Sequence, residues 1–466
     1  MATRRRSKPD DGCELAEEAI AETVAEVATF LDPFTTGLVR REQRNNVLRY
    51  VRGKLQNLPR RTIEPIAIAA GIDHTGLQKF VGAGAWDDEV MRRELCRDAA
   101  RTLGRRDGVL IVDGSGFPKK GDESVGVQRQ WCGRLGKEDN CQVGEFLAYA
   151  AGGSYTLLDA ELYLPRHWLT KGQRSKARIP DEKEFRTGWE VADELLQRRA
   201  PHIPHAWITA DESYGVPNAF RDRLHSRKEN YVLEVKPGTK VWPMIKGSKR
   251  DKATNPETLF KTVPVNSWRR FHVRDGDKEP LEVDVVALWV TTPRKVREEE
   301  RVETLLLVKK ADHSKTWQFL SNAPKGTRLA EMVRVASCRH AVEEVLELAK
   351  GDVGLDEYEV RSYVGWHHHV TLTMLALWFT VKHHLELEKK HQRSPFLSSD
   401  GLWLWRWSVE ERDMSKSRRG SRGSSAGTKG PDVHIGGRGD SSHRHPEKRK
   451  SPGTEIVWLT DEELRQ

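Results

Sequence analysis

The sequence predicts an α/β protein: a mixed sheet flanked by helices, preceded by a helical domain and interrupted by a mostly-β subdomain. Three observations lead there. Before residue 106, apolar residues recur at helical spacing, as in Val47, Leu48, Val51, Leu55 and Leu58. From residue 108 the pattern changes to short apolar runs closed by a carboxylate: Val109–Val112 ends on Asp113, and Ala206–Ala210 ends on Asp211. Between about 237 and 325, strand-like runs alternate with charged turns, after which helical spacing returns. At 466 residues the chain has room for two or three domains and a large core.

Taken in order, residues 1–20 read as a mobile tail and 21–106 as a helical domain. Pro59 ends its first apolar stripe. The run Ile63 to Gly71, then Asp73 to Phe80, has the form of a helix-turn-helix, with Asp73 and Thr75 opening the second helix. In a DNA groove, His74, Gln78 and Lys79 would be its reading face. The first part of the core, 107–236, carries strands at Val109–Asp113, Val125–Trp131, Gln142–Ala150 and Tyr155–Leu164, whose short connections make an antiparallel meander. A helix from about Asp181 to Ala200 follows, then strand Ala206–Ala210, helix Val216–Leu224 and strand Tyr231–Val235. The insertion, 237–325, shows strands at Thr258–Val263, Val283–Val290, Thr304–Val308 and Trp317–Leu320. The second part of the core, 326–395, is helical. Its longest apolar run, Val370 to Val381, is too short to span a bilayer and reads as a buried helix. Residues 396–466 form a basic, largely disordered tail, aperiodic and rich in Arg, Lys, Gly, Ser and Pro over 413–455. Its end suits a short helix capped by Thr460 and Glu463.

Lys and Arg number 78 against 69 Asp and Glu, giving a net charge of +9 and a pI near 9.2. That surplus favours a polyanionic partner, nucleic acid first. The five cysteines form no CxxC pair, and an odd, scattered set suits reduced thiols in a cytoplasm rather than a disulfide framework. A zinc at Cys132 and Cys141 would need ligands recruited from far away. No secretory leader is visible at the N-terminus, Met-Ala-Thr-Arg-Arg-Arg.

The chemistry lies in three acids. In the order β-β-β-α-β, the strands ending on Asp113 and Asp211 can lie side by side. A helix over Arg339–Lys350 buries Val342, Val345, Leu346 and Ala349, and sets Arg339, Glu343 and Lys350 along one flank. Its Glu343 can join the two aspartates. Three converging carboxylates suit hard divalent cations, and two such ions suit in-line displacement at phosphorus. Glu344, about 100° further round the helix, and Glu212 are rival ligands. His367, His368 and His369 point three ways on a helix and cannot share one ion. Gly114-Ser115-Gly116 lacks P-loop spacing. Lys119, Lys120, Arg129, Arg134 and Lys137 follow the first aspartate as a basic path or a solvated hairpin.

These segments together resemble an RNase H-like DDE transposase of a bacterial insertion sequence, over roughly residues 35–385. The likeness is closer to the group with a β insertion before the Glu and a Tyr-x2-Arg-x3-Glu-x6-Lys box. Arg339, Glu343 and Lys350 match that spacing, and Ala336 stands where the tyrosine would be. Other matching segments are Val112–Lys120, Thr209–Gly215 and Gly354–Arg361. The resemblance implies an RNase H-like core with Asp113, Asp211 and Glu343 as catalytic metal ligands for two Mg²⁺, which Mn²⁺ replaces. It implies Arg339 and Lys350 on DNA phosphates, and an insertion aromatic (Trp268, Trp289 or Trp317) stacking on a flipped base. It further implies terminal inverted repeats and target DNA as partners, a dimer when DNA-bound, no membrane, and a bacterial cytoplasmic location at the nucleoid. The alternatives are an RNase H-like nuclease without strand transfer and a DNA-binding repressor derived from a transposase.

Overall fold

The computed structural model describes residues 25–245, 249–274, 280–293, 301–392, 410–412 and 456–459. Five helices come first: α1 (25–31), α2 (Arg41–Leu55), α3 (Ile63–Ala69), α4 (His74–Ala83) and α5 (Asp88–Leu103). Strands β1 (Val109–Pro118), β2 (Gln128–Cys132), β3 (Lys137–Ala151) and β4 (Ser154–Leu162) follow as a meander. Then come α6 (Lys171–Ala177), α7 (Gly188–Arg199), β5 (Trp207–Ala210), α8 (Glu212–Gly215), α9 (Asn218–Ser226) and β6 (Tyr231–Glu234). The next stretch holds β7 (Trp242–Ile245), β8 (Lys249–Arg250), α10 (Pro256–Phe260), β9 (Arg269–Arg274), β10 (Leu281–Thr292), β11 (Arg301–Lys310) and β12 (Thr316–Ser321). Two long helices, α11 (Leu329–Gly351) and α12 (Tyr363–Gln392), and two short strands, β13 (Glu410–Arg412) and β14 (Trp458–Leu459), complete the described chain.

This is a mixed α/β architecture of the RNase H-like kind. β1 pairs antiparallel with β3 and parallel with β5, and β5 runs parallel to β6. β3 carries β4 and β2 on its other edge. β6 then pairs with β12, so the strands of the insertion continue the same sheet through β11, β10 and β9. Sequence patterning cannot reveal that continuity, because β6 and β12 are separated by more than 80 residues. α11 and α12 cover the sheet, and α12 is buried from Val370 through Trp378. No described helix is long and apolar enough to cross a membrane.

The helical part packs against α12. Gly71, at φ +65°, turns the chain between α3 and α4, and Asp73 caps α4 by accepting from the Thr75 amide at 2.8 Å. The three consecutive histidines of α12 each hold a different neighbour. His367 meets Glu161, His368 stacks on Trp86, and His369 meets the Tyr50 hydroxyl at 2.8 Å. They share no ion because a helix fans adjacent side chains apart.

Several elements differ from the reading of the sequence. Thr258–Val263, expected as a strand, begins inside α10, because Asn255 caps a helix that Pro256 starts. The helix expected at Val216–Leu224 starts at Asn218, behind Pro217, and a single turn, α8, precedes it. The helix expected from Asp181 starts at Gly188, where Thr187 and Glu190 form a capping box. Just ahead of the helix expected behind Thr460, which lies outside the described residues, Trp458 and Leu459 add strand β14 to the insertion, since they find opposite faces of β10 to bury against. Residues 1–20 and 413–455 lie outside the described residues, as do Thr460 and Glu463.

Candidate active site

Two parallel strands build the floor. In the β1–β5 register Val112 lies opposite Ala210, the last pair, so Asp113 and Asp211 come next to each other where the two strands part. β1, expected to end on Asp113, instead runs on to Pro118 beside β3, while Asp211 leaves β5. Asp211 also caps α8, accepting from the Ser213 amide at 2.8 Å. α11 packs on β1 and β5 through Val342, Val345 and Leu346, all buried. Burying side chains of this size contributes about 1.5–3 kcal/mol each, which fixes the height of the helix over the sheet. Arg339, Glu343 and Lys350 then face Asp113, Asp211 and Glu145 across a cleft of about 570 Å³.

The acids differ in electrostatic state. Burial, and then the neighbouring Asp211 charge, push the Asp113 carboxyl up to about 8, while Arg339 acts the other way. Glu343 is pushed down to about 2, first by its hydrogen bond with His340 at 2.9 Å and then, against its partial burial, by Arg339 at 2.9 Å. Arg339 also grips Glu234 at 3.0 Å, so its guanidinium already serves two carboxylates. As they stand, no three described His, Cys, Asp or Glu side chains close into a metal-holding group. The cleft instead holds a strand-borne aspartate pair short of positive charge, and a helix-borne glutamate clamped beside it. The rivals point elsewhere. Glu344 pairs with Arg274 at 2.6 Å, and Glu212 faces Lys236 at 4.0 Å.

The structure places the other sequence-derived residues in four separate regions. Lys350 lines the cleft, its ammonium donating to the Ser115 hydroxyl at 2.7 Å. Lys119 and Lys120 lie past the end of β1, outside the cleft lining; the Lys119 ammonium sits 3.5 Å from the centre of the Tyr358 ring, and its pKa is lowered by burial to about 8. His74, Gln78 and Lys79 are all exposed on α4, in the helical part. Of the insertion tryptophans, Trp317 lines a second cavity, about 420 Å³, that also touches Ala336, Arg339, His340 and Glu343. Trp268 stacks on Phe260, and Trp289 packs near Thr304 and Met332.

Sequence reasoning missed Glu145. It lies opposite Gly114 in the β1–β3 ladder, is buried, and accepts from the Tyr214 hydroxyl. Burial pushes its carboxyl up to about 7. A Cβ on Gly114 would come within 3.3 Å of that hydroxyl, so the glycine leaves room for the pair. Nothing in the sequence gives a cross-strand register, although Gly114 marks the spot. Trp131, largely exposed at the rim, and Trp189 also line the cleft without a sequence signal.

The model of the DDE superfamily endonuclease family matches residues 33–280, over half of the sequence. The chain belongs to this family of DDE endonucleases. The matched stretch includes Asp113 and Asp211 and stops before Glu343. A probable transposase for insertion sequence element IS701 from Microchaete diplosiphon is 29% identical over 187 residues. That alignment covers 40% of this chain and 47% of the relative, so this DDE endonuclease matches about half the length of its curated relative.

Proposed function

We propose that this chain is a DNA transposase that cuts insertion-sequence ends and joins the freed 3′-hydroxyl to target DNA by two-metal in-line phosphoryl transfer. The observation that carries the reading is the parallel β1–β5 register, which delivers Asp113 and Asp211 to one edge under the helix that bears Glu343. The donor chemistry suits Mg²⁺. All three groups offer hard oxygen ligands, and an aspartate carboxyl raised to about 8 beside a second aspartate marks a site short of cations. Asp113, Asp211 and Glu343 would hold the ions, Glu343 after turning from Arg339 and His340. Divalent cations bound there would activate the attacking oxygen and stabilise the leaving one.

The remaining residues orient DNA. Lys350 reaches the cleft beside Ser115 and would take a phosphate. Arg339 would exchange a carboxylate for a phosphate as Glu343 turns. The cavity that Trp317 shares with Ala336 has room for an unstacked base next to Glu343. The domain at 21–106 would bind the terminal repeats, with His74, Gln78 and Lys79 of α4 in the groove and Lys119 and Lys120 on the flanking backbone. Two bound ends imply a dimer on DNA, at the bacterial nucleoid.

The test is cleavage and joining of a labelled terminal repeat in Mg²⁺ or Mn²⁺. Asp113→Asn and Glu343→Gln should each abolish both products while leaving DNA binding intact. Retained cleavage in either variant overturns the assignment. Cleavage without a joined product in the unaltered protein would make it a nuclease.

A further inference from the structure

The edge of β10 is filled by three separate partners. β9 pairs with Leu281–Val285, β7 pairs with Val290 and Thr291, and between them β14 pairs with Ala287 and Leu288. β7 leaves β10 after Pro243, and its end, Ile245, bridges to Ile456. The four residues Ile456–Leu459 are therefore held between Ile245 on one side and the Ala287–Leu288 backbone on the other. Their side chains alternate. Leu459, opposite Ala287, is buried in the main core on the face of Val273, Val283 and Phe319. Trp458, opposite Leu288, packs with Ile456 in the smaller core of the insertion, with Leu305 and Leu320.

We infer that this gap is a peptide-binding slot of the β-augmentation type, whose occupant is this chain's own Ile456-Val457-Trp458-Leu459 segment bound as a separable strand. Without it, the Ala287–Leu288 backbone would face an unfilled stretch of edge, and apolar surface on both sides of β10 would be uncovered. The slot is not made by local hairpin formation. The segment follows 43 residues, 413–455, that lie outside the described structure, so its docking is a long-range event. Val273, Val283 and Phe319, on the face that Leu459 covers, also line the Trp317 cavity beside Glu343. Leu459 shares a core cluster with those residues, so the segment backs that wall from behind without lining the cavity. The slot rests on strand pairing alone and survives failure of the transposase reading.

The experiment uses the full chain, carrying a specific protease site placed between residues 425 and 440 and cut only after folding. The C-terminal fragment should co-elute with the body at the mass of one chain. Excess synthetic peptide spanning Thr454–Asp461 should displace it. Leu459→Asp in the same cut chain should weaken retention at least tenfold, and amide exchange at Ala287 and Leu288 should rise once the fragment is displaced. Immediate separation of the wild-type fragment after cutting, or unchanged exchange at Ala287 and Leu288, overturns the slot. Retention only in a species of twice the mass would assign the slot to the tail of a second copy and overturn the occupant named here.

Discussion

The two sides of the cleft solve opposite problems. On the sheet side, Asp113 within β1 and Asp211 just past β5 sit where the two strands part, and burial and like charge raise the Asp113 carboxyl to about 8. On the helix side, Glu343 lies partly open and is lowered to about 2 by His340 and Arg339. The sheet side gains from added positive charge, whereas the helix side already has it. The difference teaches that the cleft is primed asymmetrically. On the proposed function, a cation would be drawn first to the aspartate pair, and the glutamate would join by exchanging protein partners.

Arg339→Met tests that asymmetry with the largest expected effect on stability. It leaves Glu234 and Glu343 facing the aspartates without their shared cation, and should cost about 2–3 kcal/mol in urea unfolding, with millimolar Mg²⁺ recovering part of it. A loss that Mg²⁺ does not touch would break the comparison. Asp113→Asn comes next. Because the folded carboxyl titrates above its unfolded value, the ionised form is disfavoured in the fold, and this group lowers stability as pH rises from about 4 to about 8. The variant should therefore be more stable than wild type at pH 8, by about 1 kcal/mol after allowing for solvent screening at the open cleft, and equal to it at pH 4. Thermal unfolding at the two pH values checks this.

Glu343→Gln should show the reverse sign and a smaller size. Its folded carboxyl is depressed, so its contribution is present above the unfolded value near 4.5 and is lost as pH falls toward 2. A loss of about 0.5 kcal/mol at pH 7, vanishing by pH 2, is the expected result for a partly exposed pair. The smallest effect on either side should come from His74→Ala, Gln78→Ala and Lys79→Ala together. They are exposed on α4, so both pH profiles should be unchanged while affinity for duplex DNA in a gel-shift assay falls. An altered pH profile would show coupling between α4 and the cleft.

Much of this was legible in the amino-acid order, for reasons that can be located. Val109–Val112 and Ala206–Ala210 read as buried parallel strands because nearly every residue is apolar and each run stops on an acid. α11 was legible because Val342, Val345, Leu346 and Ala349 recur at its period. What stayed hidden depends on pairing across distance. Glu145 faces the cleft only because β3 places it opposite Gly114, and β12 joins β6 through hydrogen bonds that no local pattern encodes. Ile456–Leu459 carried no strand signal of its own, because four residues are too few to show a period, and the gap on β10 sets their conformation.

The β6–β12 junction carries a mechanical consequence. With Phe319, Leu320 and Ser321 bonded to Glu234, Leu233 and Val232, the plate that bears Asp211 and the plate that bears Trp317 are one stiff body. Jaw-like closing of the insertion over the core cannot occur at that seam without breaking its ladder. Gating of the cleft is left to side-chain exchange along α11, a motion of nanoseconds rather than of whole domains.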